Sequence, residues 1–106
     1  MFNTKKKSET TTMINTIIGD NSRIEGQLIA SESTRVDGTL RGKILSESTV
    51  IIGEHGVIYG DIDGSEILVA GTVYGNLHAQ QRIQITETGR VVGDLFTKTL
   101  VIDEGA

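Results

Sequence analysis

Five copies of one short cassette govern what this chain can become. An apolar residue, a spacer, a glycine, a spacer and a second apolar residue recur at Ile24/Gly26/Leu28, Leu40/Gly42/Ile44, Ile58/Gly60/Ile62, Val73/Gly75/Leu77 and Val91/Gly93/Leu95. The glycines lie 16, 18, 15 and 18 residues apart. Apolar residues at alternate positions have the period of a strand with one buried face. Recurrence at a near-constant interval is the signature of a repeat architecture. One such unit cannot bury its own apolar face; coiling the chain so that units stack buries them all in one column.

Each cassette follows a shorter alternating pair: Thr16/Ile18, Thr34/Val36, Val50/Ile52, Ile67/Val69 and Ile83/Ile85, with Leu100/Ile102 opening a sixth unit. A small residue comes two positions after each cassette, at Ala30, Ser46, Gly64, Ala79 and Thr97. The gap from pair to cassette alternates between six residues (Ile18 to Ile24, Ile52 to Ile58, Ile85 to Val91) and four (Val36 to Leu40, Val69 to Val73). The longer corners hold Gly19-Asp20-Asn21, Gly53-Glu54-His55-Gly56 and Glu87-Thr88-Gly89, residues that accept positive φ or bond their own backbone. Two extra corner residues leave the inward register unchanged. The prediction is an all-β, single-stranded parallel solenoid of about five to six coils, ~26 Å tall at the usual strand spacing. Ile52, Ile58, Ile62, Val69, Val73, Leu77 and Ile85 face inward in this reading.

Composition agrees with a thin column. Only Phe2, Phe96, Tyr59 and Tyr74 are aromatic, and proline is absent, as suits a backbone whose N–H groups nearly all join ladders. The absence of cysteine makes a reducing compartment the default. No apolar run reaches membrane-spanning length, and the N-terminus lacks the apolar core of a signal peptide, so a cytoplasmic protein is expected. Residues 1–16 carry a net charge of +2 and the remainder −6. An acidic body with no basic stripe argues against nucleic acid as a partner.

Residues 1–16 are polar, Thr-rich and aperiodic, and read as a disordered tail; 17–106 form the repeat body. The tail pairs Met1 and Phe2 with Lys5, Lys6 and Lys7, apolar groups beside cations that suit an anionic membrane surface. The ends of a stacked column expose unpaired backbone and apolar side chains unless capped. Here the candidate contact residues are Ile17, Ile18, Ile24 and Leu28 at one end, and Val91, Leu95, Phe96, Leu100 and Ile102 at the other. Their pairing between copies would build a filament.

The outward columns include Tyr59 and Tyr74, expected to stack on adjacent coils, and Ile51 and Leu68, a candidate apolar strip. No catalytic, cofactor-binding or metal-binding constellation is legible. His55 falls in a corner and His78 on an outward position, neither with a second ligand at metal spacing. Asp61 and Asp63 lack a basic or buried partner in the sequence. No glycine-rich phosphate loop precedes a helix.

The cassette at intervals of about 17 residues, behind the opening Met-Phe-Asn-Thr-Lys-Lys-Lys-Ser, resembles the bactofilins, and the resemblance covers essentially the whole chain. It implies a right-handed β-helix that polymerises end to end without nucleotide into apolar filaments, with no enzymatic activity and no cofactor. It further implies a cytoskeletal scaffold on the inner face of the cell membrane that positions cell-wall or cell-shape proteins. One departure stands out: the family's core usually continues past an acidic-Gly-Ala stretch such as Asp103–Ala106 into another cassette, which leaves the C-terminal contact unassigned. Two alternatives are a β-helical adaptor that does not polymerise, and a left-handed β-helix acyltransferase. The latter needs a strict six-residue period, which spacings of 15 to 18 break, and a cleft histidine that only His55 could supply.

Overall fold

A computed structural model describes residues 14–106, with side chains from residue 17 onward. Met1, Phe2, Lys5, Lys6 and Lys7 lie outside the described residues. The strands are β1 (Ile14–Ile18), β2 (Arg23–Ala30), β3 (Ser33–Val36), β4 (Thr39–Ser46), β5 (Thr49–Ile52), β6 (Val57–Tyr59), β7 (Ile62–Val69), β8 (Thr72–Tyr74), β9 (Leu77–Ile85), β10 (Arg90–Val92), β11 (Leu95–Phe96) and β12 (Thr99–Ile102). All pairings are parallel, each strand bonding to the equivalent strand one coil away. The architecture is a parallel β-solenoid of about five turns. Among the described residues strand pairing already includes Ile14, ahead of the expected boundary at 17.

Three walls enclose the column. Wall A is built from β1, β3, β5, the second halves of β7 and β9, and β12. Its inward register is Ile18, Val36, Ile52, Val69, Ile85 and Ile102. Wall B comes from the first halves of β2 and β4 and from β6, β8 and β10, with Ile24, Leu40, Ile58, Val73 and Val91 in line. Wall C takes the second halves of β2 and β4, the first halves of β7 and β9, and β11. It aligns Leu28, Ile44, Ile62, Leu77 and Leu95. Ile52, Ile58, Ile62, Val69, Val73, Leu77 and Ile85 are all in the buried core, as their alternation predicts. Thr34, the one buried polar side chain among the described residues, hydrogen-bonds the Glu32 carbonyl at 3.5 Å.

The cassette glycine turns the chain between walls B and C. Gly26, Gly42, Gly60, Gly75 and Gly93 have φ between +123° and +155°, where side chains other than glycine are strained. They also stack. A Cβ at Gly60 would run into the Gly42 carbonyl, and one at Gly75 or Gly93 into the glycine one coil before it. From Gly42 onward glycine is therefore required twice over, by the dihedral and by the spacing between coils.

The other corner alternates as the sequence does. Ser22 N–H donates to the Gly19 carbonyl (3.1 Å), Gly56 to Gly53 (2.9 Å) and Gly89 to Thr86 (2.9 Å), closing the three long corners. Asn21, at φ 66°, takes the left-handed position in the first of them. Because every coil returns to the same register, the corner length varies without disturbing the core.

Candidate functional site

The inward columns are sealed in mid-column and open at both ends. Leu40, Ile44, Ile58, Ile62, Val73 and Leu77 are wholly buried, whereas Ile24 in the first coil is 37% exposed and Leu28 half-buried. At the far end Val91 and Leu95 are half-buried, and Leu100 and Ile102 are 45% and 55% exposed. β12 covers wall A only, so the last coil presents a step. Beside it lies a notch of about 610 Å³ lined by Ile85, Arg90, Val91, Leu95, Ile102 and neighbouring backbone. The structure thus brings Ile24 and Leu28 together at one end, and Val91, Leu95, Leu100 and Ile102 at the other. Ile18 is buried beneath wall A, while Ile17 and Phe96 point outward from the walls.

The outer walls carry ladders of their own. The Tyr59 and Tyr74 rings stack with centroids 5.2 Å apart and planes 10° from parallel. The linear sequence has no basic cluster beside either tyrosine, yet the coil register lays the Arg41 guanidinium 4.4 Å over the Tyr59 ring. On wall C, His78 stacks on Phe96 at 4.5 Å, a pairing the sequence reading missed. The two residues share an outward column in the sequence, directly after the last apolar residue of consecutive cassettes, and only their stacking went unread. Ile51 and Leu68 align on wall A as expected, but both are half-buried.

A polar ladder follows the cassette glycines. Asp61 Oδ1 accepts from the Asn76 N–H at 2.9 Å, and Asn76 Oδ1 accepts from the Asp94 N–H at 3.0 Å. The positions after Gly60 and Gly75 thus each satisfy a backbone donor at the corner of the next coil, which gives Asp61 a structural partner. Arg35 donates to Asp37 at 2.9 Å, and this hydrogen bond with the opposite charge raises the guanidinium pKa above its ordinary value. Arg82 lies 3.8 Å from Glu66, and His55 3.7 Å from Asp20. The last contact joins two long corners across an intervening coil.

Among the described residues, no three His, Cys, Asp or Glu side chains converge as metal ligands, and no helix is long and apolar enough to cross a membrane. The prominent chemistry is that of surfaces: apolar end faces and stacked outer ladders.

The comparisons agree with that reading. The family model described as bactofilin, polymer-forming cytoskeletal, matches residues 16–106. Bactofilin BacO of Myxococcus xanthus is 34% identical over 97 residues, spanning 92% of this chain and 77% of BacO. Bactofilin BacP of the same organism is 30% identical over 106 residues, the whole of this chain but 44% of BacP. The crystal structure of a point mutant of the bactofilin from Thermus thermophilus matches with a TM-score of 0.78 and 26% identity, covering 82% of this chain and 97% of that one.

Proposed function

Since the chain belongs to the bactofilin family of polymer-forming, non-enzymatic cytoskeletal proteins, we propose that its polymer grows end to end through the terminal coils without nucleotide. The observation that carries this is the rise in exposure of the inward columns at both ends, at Ile24 and Leu28 and at Val91, Leu95, Leu100 and Ile102. Stacking one end on another buries these groups and pairs the open strand edges in one step. Sedimentation without ATP or GTP tests it. The wild-type chain should pellet, and Leu95→Arg, which puts a charge into the end face, should remain in the supernatant. A Leu95→Arg chain that pellets like wild type would move the contact elsewhere.

The second part of the proposal places the filament on the inner face of the cell membrane, in the cytoplasm, through Met1, Phe2 and Lys5–Lys7. There it serves as a scaffold for cell-wall or cell-shape proteins, with the residues ahead of β1 as the attachment segment and the body from β1 onward as the assembling part. Each lysine near an anionic surface contributes ~1 kcal/mol, and burying Phe2 contributes ~1.5–3 kcal/mol. A sum of ~5 kcal/mol corresponds to sub-millimolar binding for one chain, against repulsion of a body of net charge −6. Many tails on one filament raise the overall affinity by orders of magnitude, so attachment should require both assembly and low salt. Deleting residues 1–8 should abolish co-flotation with anionic vesicles on a density gradient and leave filaments intact.

A further inference from the structure

The acidic body does not present the same charge on every wall. On wall A both arginines are paired, Arg35 with Asp37 and Arg82 with Glu66. The outward positions of wall B form two columns, Arg23, Thr39, Val57, Thr72, Arg90 and Glu25, Arg41, Tyr59, Tyr74, Val92. This wall has three arginines and one carboxylate. Among the described residues none of the three arginines is in a salt bridge. Arg23, Arg41 and Arg90 are all exposed. Between them the stacked Tyr59 and Tyr74, 39% and 44% exposed, and Val92 complete a flat strip.

We propose that wall B is the face the column lays against an anionic bilayer once the tail has attached it, with Arg23, Arg41 and Arg90 at lipid phosphates and Tyr59 and Tyr74 at headgroup depth. This deepens the membrane reading above and rests on it. A stacked parallel wall spans ~19 Å over five coils, and the polymer repeats it, which suits a planar partner. Guanidinium groups match phosphate oxygens in geometry as well as charge. Tyrosine prefers the interface, where its ring meets apolar matter and its hydroxyl meets water. Asp20, Glu54 and Glu87 border the wall at its corner with wall A. They confine the contact to wall B by disfavouring a roll of the column onto that corner.

The chain supplies its own reporter, because it has no tryptophan and its two tyrosines both stand on this wall. The full-length protein is mixed at low salt with phosphatidylglycerol–phosphatidylcholine vesicles whose headgroups carry a nitroxide quencher. Flotation with the vesicles on a density gradient reads attachment, because free filaments sink, and tyrosine emission reads which wall faces the lipid. The expected result is co-flotation with loss of tyrosine emission. Arg41→Gln should weaken vesicle binding about fivefold per subunit, with circular dichroism unchanged. The triple variant Arg23→Gln, Arg41→Gln, Arg90→Gln should remove the quenching of whatever protein still floats. Flotation with undiminished emission overturns the wall assignment while leaving the tail anchor standing. No flotation of the wild-type chain overturns both.

Discussion

Replacing Gly60 by alanine separates the two reasons the cassette needs glycine, with Gly26→Ala as its control. Gly60 has φ +149° and Gly26 φ +123°, so both variants hold a methyl group in sparsely populated backbone space, at about 1–3 kcal/mol each. They differ in surroundings. Among the described residues an added Cβ at Gly26 meets nothing within 4 Å, whereas at Gly60 it meets the Gly42 carbonyl. A backbone oxygen cannot swing away like the tip of a lysine; the coils themselves must part. The pairings at stake are Ile44 N–H to the Asp61 carbonyl at 3.0 Å and its neighbours along the same edge. Weakening two of them adds about 1–3 kcal/mol, bringing Gly60→Ala to about 2–6 kcal/mol in total. That is a large share of the roughly 5–15 kcal/mol that holds a domain folded. Thermal unfolding followed by circular dichroism reads the difference. Both variants belong in the Leu95→Arg background, because assembly makes the midpoint depend on concentration. Gly26→Ala should lower the midpoint by on the order of 5–20 °C and Gly60→Ala by clearly more, on the order of 10–40 °C or to the point of not folding. Equal midpoints would refute the reasoning, since the dihedral alone would then account for the glycine.

Ile62→Ala empties a wholly buried site in mid-column and should cost about 2–5 kcal/mol in denaturant titration. Ile62→Asp strands a carboxylate there, and wild-type thermal stability in that variant would contradict the inward assignment. Asn76→Ala removes the acceptor for the Asp94 N–H, so it should cost about 1 kcal/mol and speed hydrogen exchange at that amide. Phe2→Glu should release the filament from anionic vesicles without changing its sedimentation alone.

The inward columns were legible because burial imposes a strict period of two, and glycine at intervals of 15 to 18 residues marks a corner that other residues turn only under strain. The stacking of Tyr59 on Tyr74 was legible for the same reason, once the coil length was known. What escaped were pairings whose partners fall in different coils at outward or corner positions. Arg41 over Tyr59, His78 on Phe96 and the succession from Asp61 through Asn76 to Asp94 depend on residue type at one column position, where nothing periodic is required. The sequence shows no basic stripe because Arg23, Arg41 and Arg90 are far apart along the chain. Only the coil register gathers them onto one wall. The end faces were visible as apolar positions in the first and last units, but the step left by β12, and hence the notch, is a matter of geometry.

The uniform parallel register also bears on how the column comes together and apart. Partner residues are separated by as little as 15 positions, Ile62 from Leu77, and as much as 19, Ile14 from Ser33. Every coil therefore closes a loop of nearly the same size, and no distant segment must find another before folding can start. A nucleus of two coils in the middle can extend by adding one neighbour at a time, each step repeating the entropy cost and the burial of the last. Loss runs the same way in reverse. Amides in the coil around Ile58 and Ile62 should exchange only on global opening, and those near Ile24 or Leu100 through local fraying. If the polymer grows through the terminal coils as proposed, a subunit within it offers a protease no frayed end coil, and assembly should lengthen its life as well as its reach.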